Sequence, residues 1–94
     1  MAKEQARLHV IISGKVHGVS FRYHTQRLAG AAQIFGWVRN NPDGTLEALL
    51  EGNRTSLERM AVWFSEGPRF AKVTECQLTW HEYRGEFSNF MVLP

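Results

Sequence analysis

Apolar positions along this chain follow two rhythms, and the changes between them mark its elements. Over 7–13 they alternate, with Leu8, Val10 and Ile12 on one side and His9, Ile11 and Ser13 on the other, which predicts a strand half buried against a core. From 21 to 33 the period lengthens. Phe21, Thr25, Leu28, Ala29 and Ala32 fall on one face and predict a helix; the neighbouring alanines favour it, while Gly30 costs something and allows close packing on a sheet. The segment 35–40, Phe-Gly-Trp-Val-Arg-Asn, predicts a second strand. Asn41-Pro42-Asp43-Gly44 carries turn chemistry, and 45–51 alternates again, so the pair predicts a hairpin ended by Gly52. Thr55-Ser56-Leu57-Glu58 matches a capping box, followed by Leu57, Met60, Ala61 and Phe64 as the stripe of a second helix stopping near Gly67-Pro68. Cys76, Leu78 and Trp80 share a face of a further strand. After a polar turn around Arg84-Gly85-Glu86, a final short strand is expected within 87–93. The order is β-α-β-β-α-β plus a short terminal strand, the split βαβ plan of an α+β domain.

Composition narrows this further. The 94 residues are 44% apolar and 12% aromatic, enough for one core, so a single domain over 1–94 is expected, with 1–6 as a loose N-terminal tail. The net charge is +2 and the positive residues are scattered, which gives little support to a nucleic-acid or membrane surface. The lone Cys76 cannot form an internal disulfide and fits a reducing compartment. No apolar run approaches membrane-spanning length, and residues 1–5 lack the apolar stretch of a signal peptide, so a cytoplasmic location is expected. Asn53-Arg54-Thr55 matches a glycosylation acceptor, which carries no weight without a secretory signal.

The candidate chemistry lies between the first strand and the first helix, in Gly14-Lys15-Val16-His17-Gly18-Val19-Ser20-Phe21-Arg22. Two glycines let the backbone turn tightly and approach a ligand. The helix start adds unpaired N–H donors and a positive dipole end, suited to phosphate. On the glycines alone a plain β-α turn is the better reading; Arg22, a planar cationic fork at the helix start, raises the phosphate reading. No Gly-Lys-Ser/Thr follows, so a nucleotide-hydrolysing P-loop is poorly supported. Asn40 ends the second strand. In a split βαβ plan that strand runs the same way as the first, so Asn40 and Arg22 can flank one pocket, although Asn is also a common turn residue. His9, His17, His24 and His81 show no metal-ligand spacing, and no metal or other cofactor is expected. Trp37, Trp63, Trp80 and Phe90 can in principle stack bases on an open sheet, but the basic-aromatic motif of RNA-binding domains is missing.

The run GKVHGVSFR, continued by GWVRNNPDG and EALLEG, resembles the acylphosphatase family, whose signature runs Gly-x-Val-Gln-Gly-Val-x-Phe-Arg and then Gly-Trp-Val-x-Asn. The resemblance extends from about Leu8 through Gly67-Pro68, Ala71, Val73 and Gly85-Glu86-Phe87. It implies a ferredoxin-like α/β sandwich with two helices on one face of an antiparallel sheet. The activity implied is hydrolysis of the carboxyl-phosphate bond of acyl phosphates by water attack at phosphorus. By the same resemblance Arg22 binds the phosphoryl group and Asn40 positions the water. Backbone N–H groups of the loop Lys15, Val16, His17, Gly18, Val19 and Ser20 hold the phosphoryl oxygens. The implied partners are a small-molecule acyl phosphate and inorganic phosphate as product and inhibitor, with no nucleic acid or membrane, and a monomer is expected. Three departures stand out: His17 replaces the usual Gln, Gln33-Ile34-Phe35 replaces a commoner Leu-Gly-Leu, and the tail ends Val92-Leu93-Pro94 where Arg-Tyr is frequent. Two other classes remain open at this point: a phosphate-sensing domain without turnover, and an RNA-binding module.

Overall fold

Leu8, Val10 and Ile12 are fully buried while His9, Ile11 and Ser13 between them are partly exposed, so alternation along the first strand decides which sheet face carries the helices. The computed structural model describes residues 4–94. Its elements are β1 (Gln5–Lys15), α1 (Phe21–Ala31), β2 (Phe35–Asn40), β3 (Leu46–Asn53), α2 (Arg54–Glu66), β4 (Lys72–His81) and β5 (Phe90–Val92). They form one sheet in the order β4-β1-β3-β2-β5. The pairs β1–β4, β1–β3 and β2–β3 are antiparallel, as expected, so β1 and β2 run the same way with β3 between them. The short β5 departs from the antiparallel plan and lies parallel to β2, with Gly36 opposite Phe90 and Val38 opposite Val92.

Both helices cover the face that holds Leu8, Val10 and Ile12. Helix α1 lies on β2 and β5, and α2 lies on β1, β3 and β4. The stripe of α2 is as expected: Leu57, Met60, Ala61 and Phe64 are buried. That of α1 is narrower, because Phe21, Thr25 and Ala29 are buried but Leu28 is 38% exposed at the outer margin of the helix pair. Of the aromatics considered for base stacking, only Trp37 faces the helix-free side. Trp63 meets Phe21 edge-on at 5.2 Å, and Trp80 and Phe90 pack against the core. An open stacking platform is therefore not assembled among the described residues.

Several boundaries move for physical reasons. Strand β1 begins at Gln5, opposite Asn53, so residues 5 and 6 of the expected loose tail are paired strand; residues 1–3 of that tail lie outside the described residues. The capping box at Thr55 and Glu58 does not form. Asn53 is the N-cap of α2 and its side chain accepts from the Thr55 and Ser56 N–H groups, while Glu58 pairs with Arg54. Helix α1 stops at Ala31, two residues before the expected end. Gln33 N–H reaches back to the Gly30 carbonyl and Ile34 N–H to the Ala29 carbonyl, a Schellman closure that places Gln33 at φ 56. Glycine usually fills that left-handed position, and an L side chain there costs about 1 kcal/mol or more. Gln33→Gly is therefore expected to stabilise the fold by about 0.5–1 kcal/mol, raising Tm by about 4 °C. A thermal melt showing no gain would mean that Gln33 holds this conformation without strain.

Candidate active site

The loop between β1 and α1 is built from the strand end upward. The pairing of β1 with β4 shifts between Ser13 and Gly14, and Gly14 turns at φ 120. A Cβ there would sit 2.1 Å from the Lys72 carbonyl oxygen, so only glycine lets the chain leave the sheet so close to β4. Three apolar side chains then pin the loop from below: Val16 and Phe21 are buried, and Val19 packs against the core. The residues between them, Gly18 at φ 71 and Ser20 at φ 61, are both left-handed. Left-handed residues interleaved in a turn aim successive N–H groups toward one side, which makes a concave donor surface for anions. Ser20 is the N-cap of α1 and makes no side-chain cap; its carbonyl accepts the first helical bond, from His24. Among the described residues no backbone N–H from His17 to Tyr23 donates to a protein acceptor.

Arg22 follows the buried Phe21, whose ring stacks on Phe64, so core packing aims the next side chain outward. One guanidinium nitrogen of Arg22 donates to the Leu93 carbonyl at 3.1 Å. Asn40 ends β2 two residues after buried Val38, and alternation places it on the helix-bearing side of the sheet. Its Oδ1 is buried and receives no hydrogen bond from the described residues. A buried acceptor left so costs about 1–3 kcal/mol, which a ligand or water in its reach would recover.

Arg22 and Asn40 line one cavity of about 530 Å³, together with Val16, Gly18 and Ser20 of the loop. Lys15, His17 and Val19 do not line it. Lys15 is still strand, Val19 packs inward, and the His17 ring bonds the Thr45 carbonyl at 2.9 Å. Tyr23, Gln26 and Val92 complete the wall. Gln26 lies four residues beyond Arg22 on the same helix face, a spacing that could have marked it. Val92 and Leu93 had no such signal, because only the parallel pairing of β5 with β2 brings the tail beside Arg22. No carboxylate, cysteine or histidine among the described residues lines the cavity.

A second cavity of similar size opens at the far end of the sheet, beside Gly52, Asn53 and Tyr83. Its buried carboxylate, Glu51, is already filled by Arg7 and by the N–H groups of Arg84 and Glu86. The chemistry therefore points to the first cavity, where donors and an acceptor are unspent.

Comparison with known proteins shows the family. The acylphosphatase family model matches residues 8–92. The chain belongs to the acylphosphatase family. It is 46% identical over 88 residues to the acylphosphatase of Pelotomaculum thermopropionicum, covering 94% of this chain and 96% of that one. It is 46% identical over 92 residues to the acylphosphatase of Pyrobaculum aerophilum, covering 97% of each. The crystal structure of acylphosphatase from Bacillus subtilis superimposes with a TM-score of 0.90 at 31% identity, covering 95% of this chain and 99% of that one. The enzyme is thus an acylphosphatase, hydrolysing acyl phosphates to carboxylate and inorganic phosphate. The acylphosphatase fold is the ferredoxin-like sandwich expected, with β5 as its added parallel strand.

Proposed function

We propose that Arg22 and the loop N–H groups bind the phosphoryl group, and that Asn40 holds the water that attacks phosphorus. The observation that carries this reading is the unpartnered, buried Asn40 Oδ1 in the same cavity as the Arg22 guanidinium. A phosphoryl dianion held by Arg22 and the loop needs no buried acceptor, since its oxygens only accept; an attacking water has protons to donate to one.

The reaction asks for position and charge stabilisation more than for acid or base. Water oxygen forms a bond to phosphorus as the phosphorus–oxygen bond to the acyl group breaks, and the bonding pair leaves with the carboxylate. A carboxylate is a good leaving group, so no general acid is required. Arg22 and the N–H groups of the loop stabilise charge on the equatorial oxygens, and Asn40 orients the water in line. With no carboxylate, histidine or cysteine among the described residues lining the cavity, a phosphoryl oxygen of the substrate accepts the proton released by the water. The substrate is a small molecule, and the reading is completed by a monomer acting in the cytoplasm. No described helix is long and apolar enough to cross a membrane.

Hydrolysis of benzoyl phosphate by the purified protein tests this reading against its rivals. A phosphate-sensing domain would bind inorganic phosphate without turnover, and an RNA module would show salt-dependent binding to single strands instead. The role of Arg22 has its own test. Lysine keeps the charge but loses the planar fork, so Arg22→Lys is expected to weaken competitive inhibition by inorganic phosphate about tenfold. An unchanged inhibition constant would remove the guanidinium from phosphate binding.

A further inference from the structure

The side chain of His17 leaves the phosphate cradle toward the other half of the site. Its Nε2 lies 2.9 Å from the Thr45 carbonyl oxygen. A carbonyl only accepts, so Nε2 carries the proton, and this holds for the neutral ring and the imidazolium alike. The same carbonyl accepts from the Asn41 N–H at 2.8 Å, and the Asn41 side-chain amide donates to the Thr45 hydroxyl at 3.0 Å. Asp43 braces Thr45 from within the turn, accepting from its N–H at 2.9 Å and its hydroxyl at 2.7 Å. Thr45 is therefore a junction. One of its bonds holds the residue next to Asn40, and the other holds the middle of the phosphate loop.

We propose that His17 is a positioning residue, clamping the phosphate loop to the β2–β3 turn so that the Asn40 side-chain Oδ1 stands at a fixed distance from the bound phosphorus. The proposal rests on the roles given above to the loop and Asn40. Its physical basis is that the loop and the turn both lie beyond the last rung between β1 and β3, Ile12 opposite Leu46, so no strand pairing joins them directly. The loop leaves β1, the turn joins β2 to β3, and the His17–Thr45 bond is the side-chain link between them. Phosphate affinity depends on the loop and Arg22 alone, whereas turnover depends on the distance between loop and Asn40. Small misplacements of a reacting group are costly to the rate, so loss of the clamp falls on kcat.

The test compares three variants for benzoyl phosphate turnover and for competitive inhibition by inorganic phosphate. His17→Ala and His17→Met remove the donor, the second while keeping a side chain of similar length if alanine disturbs the loop. Both are expected to lower kcat about tenfold or more with the phosphate inhibition constant within about twofold. His17→Gln restores an N–H donor of comparable reach and is expected to recover most of the lost kcat. The clamp is overturned by a kcat within twofold of the parent in the Ala and Met variants. It is equally overturned by phosphate affinity falling in step with kcat, or by failure of glutamine to recover the rate. A parent without turnover would overturn the assigned site and the clamp together, whereas an active parent with any of those three results overturns the clamp alone.

Discussion

Asn40→Ala is expected to lower turnover about 100-fold or more while inorganic phosphate continues to bind. Removing one well-placed group that acts on the reacting atoms costs about 3 kcal/mol of transition-state stabilisation, which is a factor of about 100. Phosphate affinity should persist because Arg22 and the loop N–H groups are untouched. Truncation also removes a buried acceptor that no described residue satisfies, so the folded state should not suffer and can gain slightly in stability. A rise in Tm paired with a collapse in kcat would be the signature of a group kept for chemistry at a cost to stability. Near-normal turnover would take Asn40 out of the mechanism.

The second large effect lies at the opposite end of the sheet and concerns stability. Glu51 is 2% exposed and accepts from Arg7 at 3.1 Å, the Arg84 N–H at 2.7 Å and the Glu86 N–H at 3.0 Å. It thereby ties the segment after β4 to the helix-free face of β1 and β3, and Glu86 adds a second partner for Arg7. Glu51→Gln keeps the volume but replaces one acceptor oxygen with donors that face donors, and leaves Arg7 short of charge compensation. Breaking a buried pair on one side costs about 3–5 kcal/mol, so Tm is expected to fall by about 12 °C or more. An unchanged melt would show that this carboxylate does not hold the segment.

The pH dependence of stability follows from the same site. Burial alone would raise the Glu51 carboxyl, but the N–H groups of Arg84 and Glu86 and the Arg7 guanidinium outweigh it and hold the group below its usual value. Glu47 is likewise lowered: burial opposes ionisation, and hydrogen bonds from His9, Arg39 and Asn41 prevail. A carboxyl lowered in the folded state binds its proton more readily when unfolded. Its contribution is present above the ordinary glutamate value of about 4.3 and is lost as pH falls through the still lower folded value. Denaturation measured between pH 7 and 3 should therefore show stability falling below about pH 4.3, less steeply in Glu51→Gln, with Glu47 and, at the acid end, Asp43, lowered by its hydrogen bonds from Thr45, supplying the remaining slope.

Most of the sheet-and-helix frame was legible because local alternation and burial agree. Leu8, Val10 and Ile12 alternate in sequence and are all buried, and 35–40 is a strand at the residues expected. The misreadings arose where two local signals competed. Thr55 and Glu58 had the spacing of a capping box, but Asn53, two residues earlier, caps the Thr55 and Ser56 N–H groups and starts the helix first. At 28–33 the helical period continued through Leu28 and Ala32, yet the Schellman closure at Gln33 ended the helix and left Leu28 at its outer margin. The tail was illegible in a different way. Val92 joins the wall of the site, and Leu93 meets Arg22, through pairing with a strand more than fifty residues away, and no local pattern encodes a parallel partner.

By itself the sequence determined the family, the loop, and the two residues on which the proposed chemistry turns, because glycine geometry, apolar anchors and a terminal asparagine are local requirements. Only the tertiary structure decided that Asn40 Oδ1 is buried with nothing from the protein to satisfy it. It also decided that Leu93 meets Arg22, and that His17 turns away from the phosphate to hold Thr45. Each of these depends on segments far apart in the chain, where distance and burial are set by packing rather than by neighbours in sequence.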